Sequence, residues 1–295
     1  MPFAAANGMD LYYETFGQPS DPALLLVMGL GAQCIVWPQE FCQMLADGGR
    51  YVIRFDNRDC GLSTHLDGAE VNVEAVMMAS LGMGEMPSVP YLLSDFADDA
   101  FGLLDALDVP AAHIVGASMG GMIVQQMAIA RAERVLSLTS IMSTTGEVEF
   151  FETSPEAMAV LTGPPATTRD EYIDRSVPAS RACSTHSLID EDVVRAAAAA
   201  SYDRGLYPEG GPRHMAASLA SGSRADGLRT LRVPTLVIHG RADQLIKMSG
   251  GLRTAELVPN ARLLLINEMG HDLPRPHWPT MVSAILTHSA GTGHC

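Results

Sequence analysis

Three residues far apart in the chain have the types and surroundings that acyl transfer requires: Ser118, Asp243 and His271. Ser118 lies in HIVGASMGGM (residues 113–122), between a β-rich run, AHIVGA, and a helix-like run, GGMIVQQMAIA. A serine with glycines two residues away on both sides, at a strand-to-helix turn, has the pattern of a nucleophile elbow. The glycines relieve crowding where the chain reverses, and the hydroxyl projects from the turn. When Oγ attacks a carbonyl, negative charge develops on the carbonyl oxygen, and the N–H of Met119 is placed to meet it. A second donor is expected from the loop after an earlier strand. LLLVMGLGAQ (residues 24–33) supplies it, with Gly29 permitting a tight bend and the N–H of Leu30 as the donor. The GLG of that loop lacks the full G-x-G-x-x-G pattern, which argues against a dinucleotide site.

A free hydroxyl is a weak nucleophile at neutral pH, so Ser118 needs a base. Among nine histidines, His271 in INEMGHDLP follows the last strand candidate, RLLLI, and so falls at the same sheet edge as the elbow. His113 begins its strand at the opposite edge, and His239 is expected to be buried inside LVIHGRAD. His186, His214 and His277 remain possible pocket or surface groups. Asp243, in VIHGRADQLI, follows another strand and completes the chain order serine, acid, histidine. It would hold the histidine tautomer and offset the charge that forms on the ring. Asp272 is the immediate neighbour of His271 and Asp226 precedes its strand, so both are poorer choices.

These residues need a scaffold that brings strand ends together. FAAANGMDLYYETF (residues 3–16) reads as a hairpin about Asn7-Gly8. PALLLVMG and YVIRFDNRD are short apolar runs of the kind buried on both faces of a sheet. Residues 92–107, with apolar positions at helical spacing, stop before Pro110. Further strand candidates, AHIVGA, RVLSLTSIM, PTLVIHG and ARLLLI, alternate with helical patterns at 120–131 and 249–257, and HWPTMVSAILTH closes the chain as a helix. That alternation predicts an α/β protein with a mostly parallel sheet covered on both faces.

The rhythm breaks between residues 146 and 218, which hold six prolines, an alanine tract and a YPEGGP turn but no strand pattern. A segment this long without a strand predicts a helical cap inserted into a core formed by residues 1–145 and 219–295, above the carboxyl ends of the strands. The motifs assigned to chemistry all lie outside it, so it is expected to control which substrates react more than whether the triad forms. Residues 72–90 are a second irregular stretch, in which Met77, Met78, Met83 and Met86 either line a pocket mouth or pack under a loop. Trp37, Tyr172, Tyr202 and Tyr207 are further candidates for a pocket wall.

Bulk properties narrow the function class. The 295 residues include 34 acidic and 19 basic side chains, for a formal net charge of -15, which argues against a nucleic-acid partner. No stretch of 18 apolar residues exists to span a membrane, and MPFAAANGMDLYYE carries no secretory leader pattern, so a cytoplasmic protein is expected. Cys34, Cys42, Cys60, Cys183 and Cys295 are odd in number and contain no C-x-x-C, as free thiols would. No H-E-x-x-H or compact His/Asp cluster suggests a metal site.

The motifs LLLVMGLG, YVIRFDNRDCGLST, VGASMGGM, PTLVIHGRADQL and MGHDLP together resemble the α/β-hydrolase superfamily, over essentially the whole chain. Within it they look like the capped bacterial ester hydrolases related to aclacinomycin methylesterase. The resemblance implies an eight-stranded core with a helical cap and no cofactor, Ser118 as nucleophile, His271 as base, Asp243 as acid, and an oxyanion hole at Leu30 and Met119. Many members begin the oxyanion loop with His-Gly, where this chain has Met28-Gly29; the donor is a backbone N–H and survives, but a side chain that can brace the loop is gone. A serine at the elbow disfavours the alkyl-enzyme route of members that carry aspartate there. The expectation is a carboxylic ester hydrolase, monomeric or homodimeric, acting on a small-molecule ester. Lactone hydrolysis, C–C bond hydrolysis and cofactor-free haloperoxidase or perhydrolase chemistry are the alternatives, with a non-enzymatic binding protein as the reading from another class.

Overall fold

An eight-stranded sheet runs through the centre of the chain in a computed structural model, which describes residues 2–150 and 152–290 and so leaves Cys295 outside the described residues. The strands are β1 (Phe3–Ala6), β2 (Met9–Phe16), β3 (Ala23–Val27), β4 (Tyr51–Phe55), β5 (Ala112–Ala117), β6 (Val135–Ile141), β7 (Thr235–Gly240) and β8 (Arg262–Ile266). They lie in the order β1-β2-β4-β3-β5-β6-β7-β8. Asn7 and Gly8 both take positive φ (50° and 78°) to close the β1–β2 hairpin, as a two-residue turn of the favoured hand requires. β2 pairs antiparallel with β4, and all later pairs are parallel. Each apolar run singled out in the sequence forms its strand.

The helices are α1 (Gln39–Asp47), α2 (Val73–Ser80), α3 (Leu93–Ala106), α4 (Met119–Ala130), α5 (Pro155–Thr162), α6 (Arg169–Cys183), α7 (Glu191–Gly205), α8 (Gly210–Ala220), α9 (Ala225–Thr230), α10 (Met248–Leu257) and α11 (Trp278–Ala290). None among the described residues is long and apolar enough to cross a membrane. Side chains alternate across a strand, so the fully buried β3 feeds two cores. Leu24 and Leu26 pack with Phe41 of α1 and Met281 of α11, while Leu25 and Val27 pack with Phe96 of α3 and Ile123 of α4. Trp37 is fully buried against Phe41 in the first of these cores, which removes it from the pocket candidates.

Between β6 and β7 the chain inserts α5 to α8 without a strand, and α8 runs two residues beyond the expected boundary at 218. The irregular stretch at 72–90 contains α2, capped by the Asn72 side chain, which accepts from the N–H of Ala75. Two buried ion pairs tie the inserted helices to the loop after β4. Arg213 of α8 grips Asp59 with two bonds (Nε–Oδ2 2.8 Å, Nη2–Oδ1 3.0 Å), and Arg204 of α7 reaches Asp56 (2.8 Å). Asp59 also accepts from the Tyr91 hydroxyl and the Leu66 N–H, each at 2.6 Å. Burial alone would raise the Asp59 pKa, but Arg213 and these donors hold it below the usual carboxylate range.

A buried charge left without its partner costs roughly 3–5 kcal/mol. The D59N variant, which leaves the Arg213 guanidinium unpaired, is therefore expected to lose about 3–5 kcal/mol of unfolding free energy in urea titrations. A loss under about 1 kcal/mol would show that this pair does not anchor the insertion.

Candidate active site

β5 ends at Ala117 and α4 begins at Met119, leaving Ser118 alone at the turn with φ 58° and ψ -124°. A left-handed φ on a serine stores on the order of 1–3 kcal/mol, and it persists only where neighbours over-determine the backbone. Here the Ser118 N–H donates to Ile141 O (2.9 Å), and the Ser143 hydroxyl donates to Ser118 O (2.8 Å). The two glycines of the motif are required by packing: a Cβ at Gly116 would overlap the carbonyl of Gly120, and one at Gly120 would overlap the carbonyl of Val27.

The loop after β3 lies against this turn. A Cβ added at Gly29 would sit 3.0 Å from the Ser118 Cβ. Among the described residues, no protein acceptor takes the N–H of Leu30 or of Met119, so both donors remain available. The loop is braced in spite of Met28. Asn57 Nδ2 donates to Met28 O (2.9 Å), and the Gly31 N–H donates to His214 Nδ1 (3.1 Å). His214 is fully buried, and burial holds its pKa at about 4, so the ring is neutral with its proton on Nε2, which donates to Arg58 O (2.7 Å). Neither Asn57 nor His214 carries a sequence signal for this role; the contact to Gly31 crosses 183 positions.

Asp243 and His271 meet at 2.8 Å through Oδ2 and Nδ1. A carboxylate accepts, so the neutral imidazole carries its proton on Nδ1 and leaves Nε2 free to take another. The other oxygen of Asp243 accepts from the N–H groups of Leu245 and Ile246, both at 2.9 Å. His239 stands 3.4 Å from Oδ2 through Nε2, whose shorter bond is to Ile246 O (2.8 Å). It is a close neighbour of Asp243 that sequence reasoning left as merely buried, although its place four residues before that aspartate was a usable signal. Burial alone would raise the Asp243 pKa; His271 and His239 reverse that and bring it down to about 2.

Other candidates fall elsewhere. Asp272 turns to Thr185, with its Oδ1 2.7 Å from the threonine hydroxyl, and Asp226 pairs at the surface with Arg229. His113 bonds the Ser137 hydroxyl (2.8 Å) at the far end of β5. The sequence motifs singled out for chemistry lie outside the insertion, but the insertion contacts one of them: the His271 N–H donates to Cys183 O (2.7 Å) at the end of α6. No local sequence pattern relates the two segments that this contact joins.

Ser118, His271, Leu30 and Met119 all face one cavity of about 650 Å³ beneath the inserted helices. Among the described residues no hydrogen bond joins Ser118 to His271; the two share this wall. The lining is apolar and includes seven methionines, which conform to irregular shapes. Met77 is one of them, whereas Met78, Met83 and Met86 are exposed. A second cavity of about 670 Å³ shares Leu30, Met77, Leu161 and Met215 with the first. Tyr172 and Tyr207 line it; Tyr202 lines neither cavity and packs on Tyr172.

A carboxyl held below its ordinary pKa stabilises the fold fully above the unfolded value and loses that contribution as pH falls through the folded value. The stability advantage of the wild type over D243N is thus expected to shrink by on the order of 2 kcal/mol between about pH 5 and pH 2. Urea unfolding at a series of pH values measures it, and a difference independent of pH would contradict the depressed pKa.

The profile of a family described as alpha/beta hydrolase fold matches residues 22–274. Rhodomycin D methylesterase DauP of Streptomyces sp. (strain C5) is 30% identical over 300 residues, covering 95% of this chain and 94% of its own. 3-Oxoadipate enol-lactonase 2 of Acinetobacter baylyi is 25% identical over 263 residues, covering 88% and 85%. Among solved structures, a meta-cleavage product hydrolase from Pseudomonas fluorescens IP01 superposes with a TM-score of 0.74 at 20% identity, covering 99% of this chain and 98% of its own. With its eight-stranded, mostly parallel sheet and the helical insertion after β6, the chain belongs to the alpha/beta-hydrolase fold family.

Proposed function

We propose that this chain hydrolyses carboxylic esters with apolar substituents through an acyl-enzyme intermediate on Ser118. The observation that carries the reading is the 2.8 Å contact of buried Asp243 with His271, whose side chain lines the same cavity as the strained Ser118 turn. In this mechanism His271 Nε2 takes the Ser118 proton as Oγ attacks the carbonyl carbon, and the N–H groups of Leu30 and Met119 receive the developing oxyanion. Asp243 stabilises the imidazolium without taking its proton. His271 then protonates the leaving alcohol, activates a water on the acyl-enzyme, and releases the acid.

The full-length relative called a methylesterase supports ester cleavage. Opening of a lactone is the second reading, favoured by the enol-lactonase relative and by the chemistry itself, since a lactone is a cyclic ester. Residues 146–218 act as the cap in this reading, above a core of 1–145 and 219–295, and contribute Met158, Leu161 and Met215 to the cavity wall. The described free cysteines Cys34, Cys42, Cys60 and Cys183 suit a reducing, cytoplasmic setting.

S118A is expected to fold normally and to lose activity by several orders of magnitude, and D243N to lose roughly 10⁴-fold in kcat. Both are measured on a panel of esters with separately varied acyl and alcohol parts, alongside lactones and a C–C diketone. Wild-type turnover by S118A would remove the nucleophile assignment, and exclusive turnover of lactones or of the diketone would replace the ester reading.

The second cavity gives a specificity test. Gly211 lines it, and a Cβ there meets no atom within 4 Å, so G211L fills space without a clash at its first carbon. This variant is expected to leave short esters unaffected and to lower kcat/KM for bulky ones by roughly 1–3 kcal/mol. An unchanged substrate ranking would show that the second cavity holds no part of the substrate.

A further inference from the structure

The loop carrying His271 is bonded to the insertion at three consecutive residues. Besides the His271–Cys183 bond, the Gly270 N–H donates to Thr185 Oγ1 (2.8 Å), and Asp272 accepts from Thr185 twice, from its hydroxyl (2.7 Å) and from its N–H (3.2 Å). The approach is close: a Cβ on Gly270 would overlap the Ser184 backbone. The start of the insertion holds the acid's loop in the same way. Ser154 N–H donates to Gln244 O (2.8 Å), the Thr153 hydroxyl to Leu245 O (2.7 Å), and Lys247 N–H to Glu152 O (3.2 Å).

We propose that Thr185 is a positioning residue for His271, and that the insertion sets the alignment of the acid–base pair as well as roofing the cavity. The proposal rests on the reading of His271 as the base. Thr185 is fully buried and lines neither cavity, so it has no route to the substrate except through the loop. Its hydroxyl accepts from the residue before His271 and donates to the residue after it, which fixes the backbone on both sides and hence the direction of the imidazole. Displacement of a reacting group by about 1 Å can cost on the order of 10²-fold in rate.

Valine matches threonine in shape and lacks the hydroxyl, whereas serine keeps it. On a short ester, T185V is expected to lose about 10–100-fold in kcat with KM within about threefold, and T185S to stay within about threefold of wild type. The proton shared by His271 and Asp243 should give a downfield NMR signal that is retained in T185S and broadened or shifted in T185V. Circular dichroism confirms folding, and T185A takes the place of T185V should the latter not fold. H271A is assayed in parallel. Wild-type kcat in T185V beside an inactive H271A would overturn the positioning role, as would equal losses in T185S and T185V. Full activity in H271A would instead overturn the assignment of the base.

Discussion

Asp243 keeps its charge inside the protein, and much of the site's construction follows from that requirement. An ionised carboxylate removed from water costs several kcal/mol unless each oxygen finds donors. One oxygen of Asp243 meets two backbone N–H groups and the other meets His271 and, at longer range, His239. The backbone donors exist only because the chain turns sharply after β7, and the imidazole donor only because a loop after β8 approaches from the neighbouring strand. The charge thereby fixes the His271 tautomer. It also requires the loops around it to stay in register, and the insertion is hydrogen-bonded to both of them.

Buried charge also organises the other side of the cavity. Asp56 and Asp59, both without solvent exposure, sit in the loop after β4 and each receives a guanidinium from an inserted helix. The same Asp56 accepts from the N–H of Cys34, just beyond the Gly29–Gly31 turn after β3, at 2.7 Å. His214, on the helix that carries Arg213, reaches the loop directly at Gly31. Loop, insertion and core are therefore joined by polar bonds in a region that excludes water, where such bonds are strong if complete and costly if broken.

The fold was legible because its signals are local. Continuous apolar runs marked the parallel strands, Asn7-Gly8 marked the hairpin, and the glycine-flanked Ser118 marked a turn where packing tolerates no other residue at 116 or 120. The order of Ser118, Asp243 and His271 could be read because each follows a recognisable strand. The bracing groups could not. Asn57, His214 and Thr185 act on residues between 29 and 183 positions away, and nothing in their own neighbourhoods distinguishes them from ordinary interior side chains. The second cavity was also hidden, because its walls come from α2, the start of α8 and the segment after α5, which meet only in three dimensions.

The bonds from residues 152–154 and 183–185 to the loops of Asp243 and His271 bear on how such proteins diversify. An insertion between two strands looks like an exchangeable module, free to vary with the substrate while the core keeps the chemistry. In this chain the module and the core share a joint. A transplanted roof that brought a new cavity but not these two short segments would leave the loops of Asp243 and His271 without these bonds. The constraint on the insertion thus falls on short segments at its joint as well as on the helix positions Arg204, Arg213 and His214.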